Sequence, residues 1–154
     1  MAGHRYLFLL FCLFGFSHLS GQMVVGADTL IGNEWITYGQ KYFKFTIDID
    51  GVYRIPQSTL TSAGVSSSAT GSEIRIYSMG QQVPLYVSTD GVLGANDFIE
   101  FYGFKNKSEL DWHLFRHPDT DLLHPGHSMD TEQRVYSLTT EGDEQPLRVN
   151  TLVN

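Results

Sequence analysis

The chain has 154 residues and a formal charge of −7, with 17 acidic against 10 basic side chains and a single cysteine, Cys12. An acidic balance without clustered Lys and Arg excludes a track for nucleic-acid phosphates. One thiol cannot form an intrachain disulfide, so stability has to come from an apolar core, for which 10 Phe, 8 Tyr and 2 Trp supply the area.

Met1 to about Gln22 starts basic (His4, Arg5), continues through an apolar stretch from Tyr6 to Phe16, and ends in small and polar residues from Ser17 to Gly21. That is the layout of a secretory signal peptide, assigned to residues 1–21, and its apolar run is too short to span a bilayer. The cut is open between Gly21 and Ala27, since Val25-Gly26-Ala27 offers a second small-residue pattern. Cys12 leaves with the peptide. Because Leu10-Phe11 precede it, no lipoprotein anchor is expected, and the exported domain, residues 28–154, carries no thiol.

Short apolar runs then alternate with turn residues, a β pattern. Glu34 to Tyr38 and Tyr42 to Ile49 are predicted strands. In the second, Phe43, Phe45, Ile47 and Ile49 alternate with Lys44, Thr46 and Asp48, which predicts one buried face. Asp50-Gly51 reads as a hairpin turn at positive φ, with Val52 to Ile55 as the returning partner. Pro56 opens a short predicted helix, Gln57 to Ala63, that Gly64 closes. Val65 to Gly71 is a predicted loop.

Glu73 to Met79, Val83 to Val87 and Phe98 to Tyr102 follow as strands, with a turn at Asp90-Gly91. In Glu73 to Met79, Ile74 and Ile76 should oppose Arg75 and Tyr77. Asn106 to Asp130 holds no sustained period and reads as a long surface loop with one helical turn near Leu110. Arg134 to Thr140 and Leu147 to Val153 are the last predicted strands. The predicted fold is mainly β, an antiparallel β-sandwich-like domain with one short helix.

The order of these pieces carries a resemblance. Phe43-Lys-Phe-Thr-Ile-Asp-Ile-Asp-Gly-Val-Tyr-Arg-Ile55, Glu73-Ile-Arg-Ile-Tyr77, Asn96-Asp-Phe-Ile-Glu-Phe-Tyr-Gly103, Ser108-Glu-Leu-Asp111, Leu114-Phe-Arg-His-Pro118 and Arg134-Val-Tyr-Ser-Leu-Thr139 follow one another in the chain. Together they resemble the N-terminal region of type IX secretion system sortases, related to gingipain-type (C25) cysteine peptidases of Bacteroidota. The likeness runs from about Glu34 to Thr140. It implies a β-rich domain ahead of a catalytic domain whose His and Cys pair releases the sorting signal of secreted cargo and joins the cargo to a lipopolysaccharide anchor. It also implies export through the inner membrane to the periplasm or the outer-membrane surface. The partners it implies are the catalytic domain of the same parent or other type IX secretion components.

This chain departs from that pattern in having no mature cysteine and no catalytic domain before Asn154. Either it is a fragment of a longer sortase-like protein or the catalytic part is lost, so no catalytic residue carries over. The alternative is a free-standing secreted β module that binds glycan or a surface protein. A pro-domain that restrains a peptidase is a third reading.

Four histidines, His113, His117, His124 and His127, share the long loop with Asp111, Asp119 and Asp121. Zinc takes such ligands, but Pro118 and Pro125-Gly126 argue against regular helices that would align them. No metal or cofactor is assigned, and these histidines stand as the candidates. Asp48 and Asp50 before Gly51 lack the acidic twelfth residue of a calcium loop, Thr59 standing there. Asp97 and Glu100 fall on opposite faces of a strand, and no Gly-x-Ser-x-Gly elbow occurs. Asn106-Lys-Ser108 matches a glycosylation sequon, and Asp28-Thr-Leu30 a short O-glycosylation motif. Trp35, Tyr38, Tyr42 and Phe43 are expected to pack rather than to line a sugar-binding face.

Overall fold

The computed structural model describes residues 24–25, 28–29, 35–109 and 111–149. The predicted signal peptide and residues 150–153 of the last predicted strand lie outside them. Val24–Val25 (β1) and Asp28–Thr29 (β2) pair antiparallel, Val24 opposite Thr29.

The remaining strands form two antiparallel sheets. Phe43–Ile47 (β3), Arg75–Ser78 (β5), Gln81–Gln82 (β6) and Arg134–Thr139 (β9) make a four-stranded sheet in the order β3-β9-β5-β6. Gly51–Pro56 (β4), Leu85–Val87 (β7) and Phe98–Gly103 (β8) make a three-stranded sheet in the order β4-β8-β7. Alternation turns Ile47, Ile76, Tyr136 and Leu138 of the first sheet, and Leu85, Ile99 and Phe101 of the second, into one buried cluster. Across the layers, the Phe101 ring lies 5.6 Å from Tyr136 and 5.9 Å from Phe45, spacings at which aromatic pairs attract. The expected mainly β, sandwich-like architecture is what these residues build.

Pairing departs from expectation at Asp50-Gly51. β3 pairs with β9 (Phe43 opposite Leu138), and β4 pairs with β8 (Ile55 opposite Ile99), so the two are edge strands of different sheets rather than a hairpin. Gly51 is not at positive φ. Asp48 to Asp50 instead turn the corner between layers, and Ile49 is left 68% exposed. The cause is visible at Asp50, whose Oδ1 accepts the Lys105 N–H at 2.7 Å while Oδ2 pairs with Lys107 at 3.1 Å. Those bonds tie the corner to the chain leaving β8.

The helix Gln57–Ser62 (α1) follows its local signals: Pro56 is extended at φ −71° and Gly64 stops the turn at φ +96°. Only Leu60 of α1 is buried. The predicted loop after it is tethered, with Val65 and Ala69 in the core and a 3₁₀ turn, Gly71–Glu73, capped by Thr70. The predicted strand 34–38 is not formed by its described residues. Trp35 stacks on Tyr77 at 5.2 Å, and the Thr37 N–H donates to the Tyr42 hydroxyl instead of to a ladder. Val83 to Val87 is broken as well, because Pro84 has no N–H for a ladder; the chain crosses there from one sheet to the other.

Both faces of β5 are buried. Arg75 is only 6% exposed and donates to the carbonyls of Glu73 (2.8 Å), Gly142 (2.9 Å) and Glu144 (2.7 Å), so residues 141–144 cover that face. Beyond them, Leu85 N–H donates to Leu147 O and Val149 N–H to Leu85 O, a parallel bridge at the β7 edge. A second arginine, Arg148, donates to Gly71 O at 2.8 Å and Ile74 O at 3.1 Å.

Tyr77 anchors the same cover, its hydroxyl donating to Glu144 at 2.9 Å. Burial, followed by that carboxylate, pushes the phenol up to about 12. A raised folded value contributes stability that is complete below the unfolded phenol's pKa of about 10 and is lost as pH climbs through the folded one. We therefore expect one late tyrosine in an ultraviolet titration, with near-ultraviolet circular dichroism lost over the same range. A single titration step for every tyrosine near the ordinary value would contradict this. Glu144 is the mirror case: the Tyr77 hydroxyl and then the Gln82 amide hold it below the usual carboxylate range, so its contribution fades as acid titrates it.

Candidate functional site

The connection from β8 to β9 is the longest in the described chain, and it is built rather than loose. At its base Asn106 N–H donates to Glu132 O at 2.7 Å, and Lys105 Nζ pairs with Glu132 at 3.1 Å. Inside, two buried polar side chains hold distant backbone: Ser108 Oγ donates to Pro125 O at 2.7 Å, and Asp111 Oδ2 accepts the Met129 N–H at 2.8 Å. A buried hydroxyl or carboxylate so satisfied stabilises one loop shape, since the alternative is an unpaired group in the interior. Glu109 takes the Arg134 guanidinium with both oxygens at 2.8 Å, clamping the loop to the start of β9. Burial pushes Glu109 up, but the guanidinium outweighs it and holds the carboxyl below its ordinary range. Ends held together and an interior packed on itself describe an Ω-type loop.

Two short turns shape its outer part. Trp112–Leu114 is 3₁₀, and Pro118–Asp121 (α2) is a four-residue helix. Pro118, expected to argue against a helix, instead starts one, since the first helical position needs no N–H. The described residues thus form two short α-helices where one was expected. Among exposed polar residues such as Arg116, Asp119 and Asp130, the outward surface also presents apolar side chains: Leu114, Leu123 and Met129 are exposed, Leu123 by 85%, and Trp112 by about half. Phe115, Leu122, Leu123 and Met129 line a hollow of about 360 Å³ together with His124 and His127.

The described candidate metal ligands do not converge as a metal site. His117, His124 and His127 are exposed, and the side chain of His113 lies outside the described ones. Among the described residues, no three His, Cys, Asp or Glu side chains converge as a metal site. Asp111 faces inward as a backbone acceptor, Asp121 accepts the His117 N–H at 3.1 Å, and His127 contacts Glu132. The imidazole and then Lys105 hold Glu132 below its usual range. Of the other carboxylates considered, Asp97 binds Ser88 Oγ and Gly94 N–H, and Glu100 binds Arg54 at 2.8 Å.

Trp35, Tyr42 and Phe43 pack as expected, whereas Tyr38 is fully outside. Sequence reading missed the roles of Ser108, Glu109 and Arg134. The available clue was Ser108-x-x-Asp111, a turn-starting spacing that here closes with Asp111 N–H donating to Ser108 O. No helix among the described residues is long and apolar enough to cross a membrane. Comparison with family models, with curated proteins and with solved structures finds no match to this chain.

Proposed function

We propose that this chain is the noncatalytic N-terminal domain of a type IX secretion sortase-like, C25 peptidase-related surface protein. It supports or positions a downstream catalytic domain that processes the sorting signals of secreted cargo. What carries the reading is the loop after β8: Ser108, Glu109 and Asp111 fix its shape from within, while Trp112, Leu114, Leu123 and Met129 are presented outward. A preshaped loop that presents exposed apolar side chains from a two-sheet scaffold is suited to docking against a neighbouring domain, because little ordering entropy is lost on contact. The motif Ser108-Glu-Leu-Asp111, part of the family resemblance, is the segment that supplies the anchors.

Two measurements test it. The coding sequence is expected to continue in frame past the Asn154 codon into a domain bearing a His and a Cys; a stop codon there, with no such domain nearby, overturns the reading. In the parent protein, Leu123→Glu is expected to lower sorting-signal cleavage about tenfold with little change in melting, as for an interface anchor. Asp111→Ala frees the Met129 N–H and should lower cleavage similarly by loosening the loop. Unchanged cleavage in both variants removes the docking role.

A further inference from the structure

A second hollow, separate from the apolar surface of the loop, opens at one end of the sandwich. It measures about 470 Å³, within the range of small-ligand sites, and lies between the β5–β6 hairpin, the end of β8 and the start of β9. One wall is the Tyr102–Phe104 pair, with ring centroids 4.8 Å apart, and both rings are close to half exposed. Neither ring belongs to the core cluster, so the fold does not require their area there.

Polar groups converge on this cleft. The Arg134 side chain lines the cleft and is 11% exposed, but its Nη2 is taken by Glu109 and its Nε is shielded from solvent, so it shapes the wall without offering Nε to a ligand. Its charge is matched by Glu109, so the cleft carries little net positive field. Gln81 is exposed at the rim, and its amide has no partner among the described residues, while Gln82 is spent on Glu144, Gln145 O and Leu147 N–H.

The backbone at the rim is strained as well. Met79 sits at φ +50° beside Gly80 at φ +78°, in a two-residue turn that Asn-Gly or Gly-Gly would fill without strain. A side chain there is disfavoured, and the one present puts a thioether on the cleft wall.

The ligand chemistry follows from what each alternative would leave unmet. An anion would face Glu109 beside Arg134 on a chain of charge −7. A wholly apolar ligand that covered the rim would leave the Gln81 amide unpaired, a loss that disfavours it. An added peptide strand would need the outer edge of β6, which the Gln82 side chain already ties to residues 144–147. A neutral pyranose meets both demands, with an apolar C–H face for the two rings and hydroxyl oxygens to accept hydrogen bonds.

We propose that this cleft is a saccharide site, taking a neutral pyranose stacked on Tyr102 and Phe104 and accepting hydrogen bonds from the Gln81 amide at its rim. It is independent of the docking role of the loop.

The test is a titration of the ¹⁵N-labelled full chain with methyl β-glucopyranoside, methyl α-mannopyranoside and N-acetylglucosamine. A methyl glucuronide and a capped Phe-Val dipeptide serve as the anionic and peptide arms. At least one neutral sugar is expected to shift the Gln81 side-chain amide and the Met79, Tyr102 and Phe104 backbone signals in a saturable way. Tyr102→Ala should weaken that binding about tenfold, in line with an aromatic contact. Met79→Gly should weaken it too while raising the melting temperature, which separates recognition from folding. No saturable shift with any neutral sugar overturns the proposal, as does tighter binding of the glucuronide or the dipeptide, or sugar binding that maps elsewhere. Because the shifts are mapped on the unmodified chain, a variant that fails to fold leaves the test decisive.

Discussion

Arg75→Ala is expected to destabilise the fold by about 3–4 kcal/mol, since each charge-assisted hydrogen bond contributes about 1.5–3 kcal/mol and the losses overlap. Among the described residues, its guanidinium alone joins the carbonyls of Glu73, Gly142 and Glu144, and through them it holds the cover over the outer face of β5. Without it, Tyr77 loses the shield that places its hydroxyl against Glu144. Arg75→Lys keeps the charge but presents a compact ammonium that cannot span three carbonyls, and about half of the loss should remain. Urea unfolding measures both. Arg75→Ala should also bring the late tyrosine back to the ordinary phenol range, because the cover that buries it is released. A loss below about 1 kcal/mol, with Tyr77 still late, would mean that residues 141–147 hold themselves in place.

Gly71→Ala should cost about 3 kcal/mol for a different reason, overpacking against groups that cannot yield. An added methyl would stand 1.9 Å from Thr89 O and 3.1 Å from Thr89 C, both backbone, and 3.3 Å from the Val87 Cβ. Relief would have to come from shifting the 3₁₀ turn, which is pinned by Gly71 N–H to Gly91 O at 2.8 Å and by Arg148 to Gly71 O at 2.8 Å. Gly91→Ala is the matched control. Its methyl would meet only Thr89 Oγ1 at 3.7 Å, ordinary contact, so its melting should stay close to that of the unmodified chain. Equal melting temperatures for the two variants would show that the turn moves freely.

These two sites explain why part of the fold was legible in the sequence and part was not. The strands β3, β8 and β9 and the helix α1 have bounds close to expectation because their signals are local: alternation of Phe43, Phe45 and Ile47, Pro56 before the helix, Gly64 after it. The hairpin expected at Asp50-Gly51 fails because the deciding partner is the backbone of Lys105, 55 residues away. In the candidate site, the loop's extent and its histidines were legible from the lack of any period. Its anchors were not, because Ser108 and Asp111 reach Pro125 and Met129, 17 and 18 residues on. Arg134 looked like an ordinary first residue of a strand, and only its clamp on Glu109 and its position in the cleft wall set it apart.

Composition and alternation by themselves determined that this chain builds antiparallel β layers around an apolar core, because side-chain period and turn chemistry act between near neighbours. Only the tertiary structure decided which sheet each strand joined and which polar groups became buried anchors. Those choices turn on backbone donors and acceptors brought together from far along the chain, where no short pattern reports them.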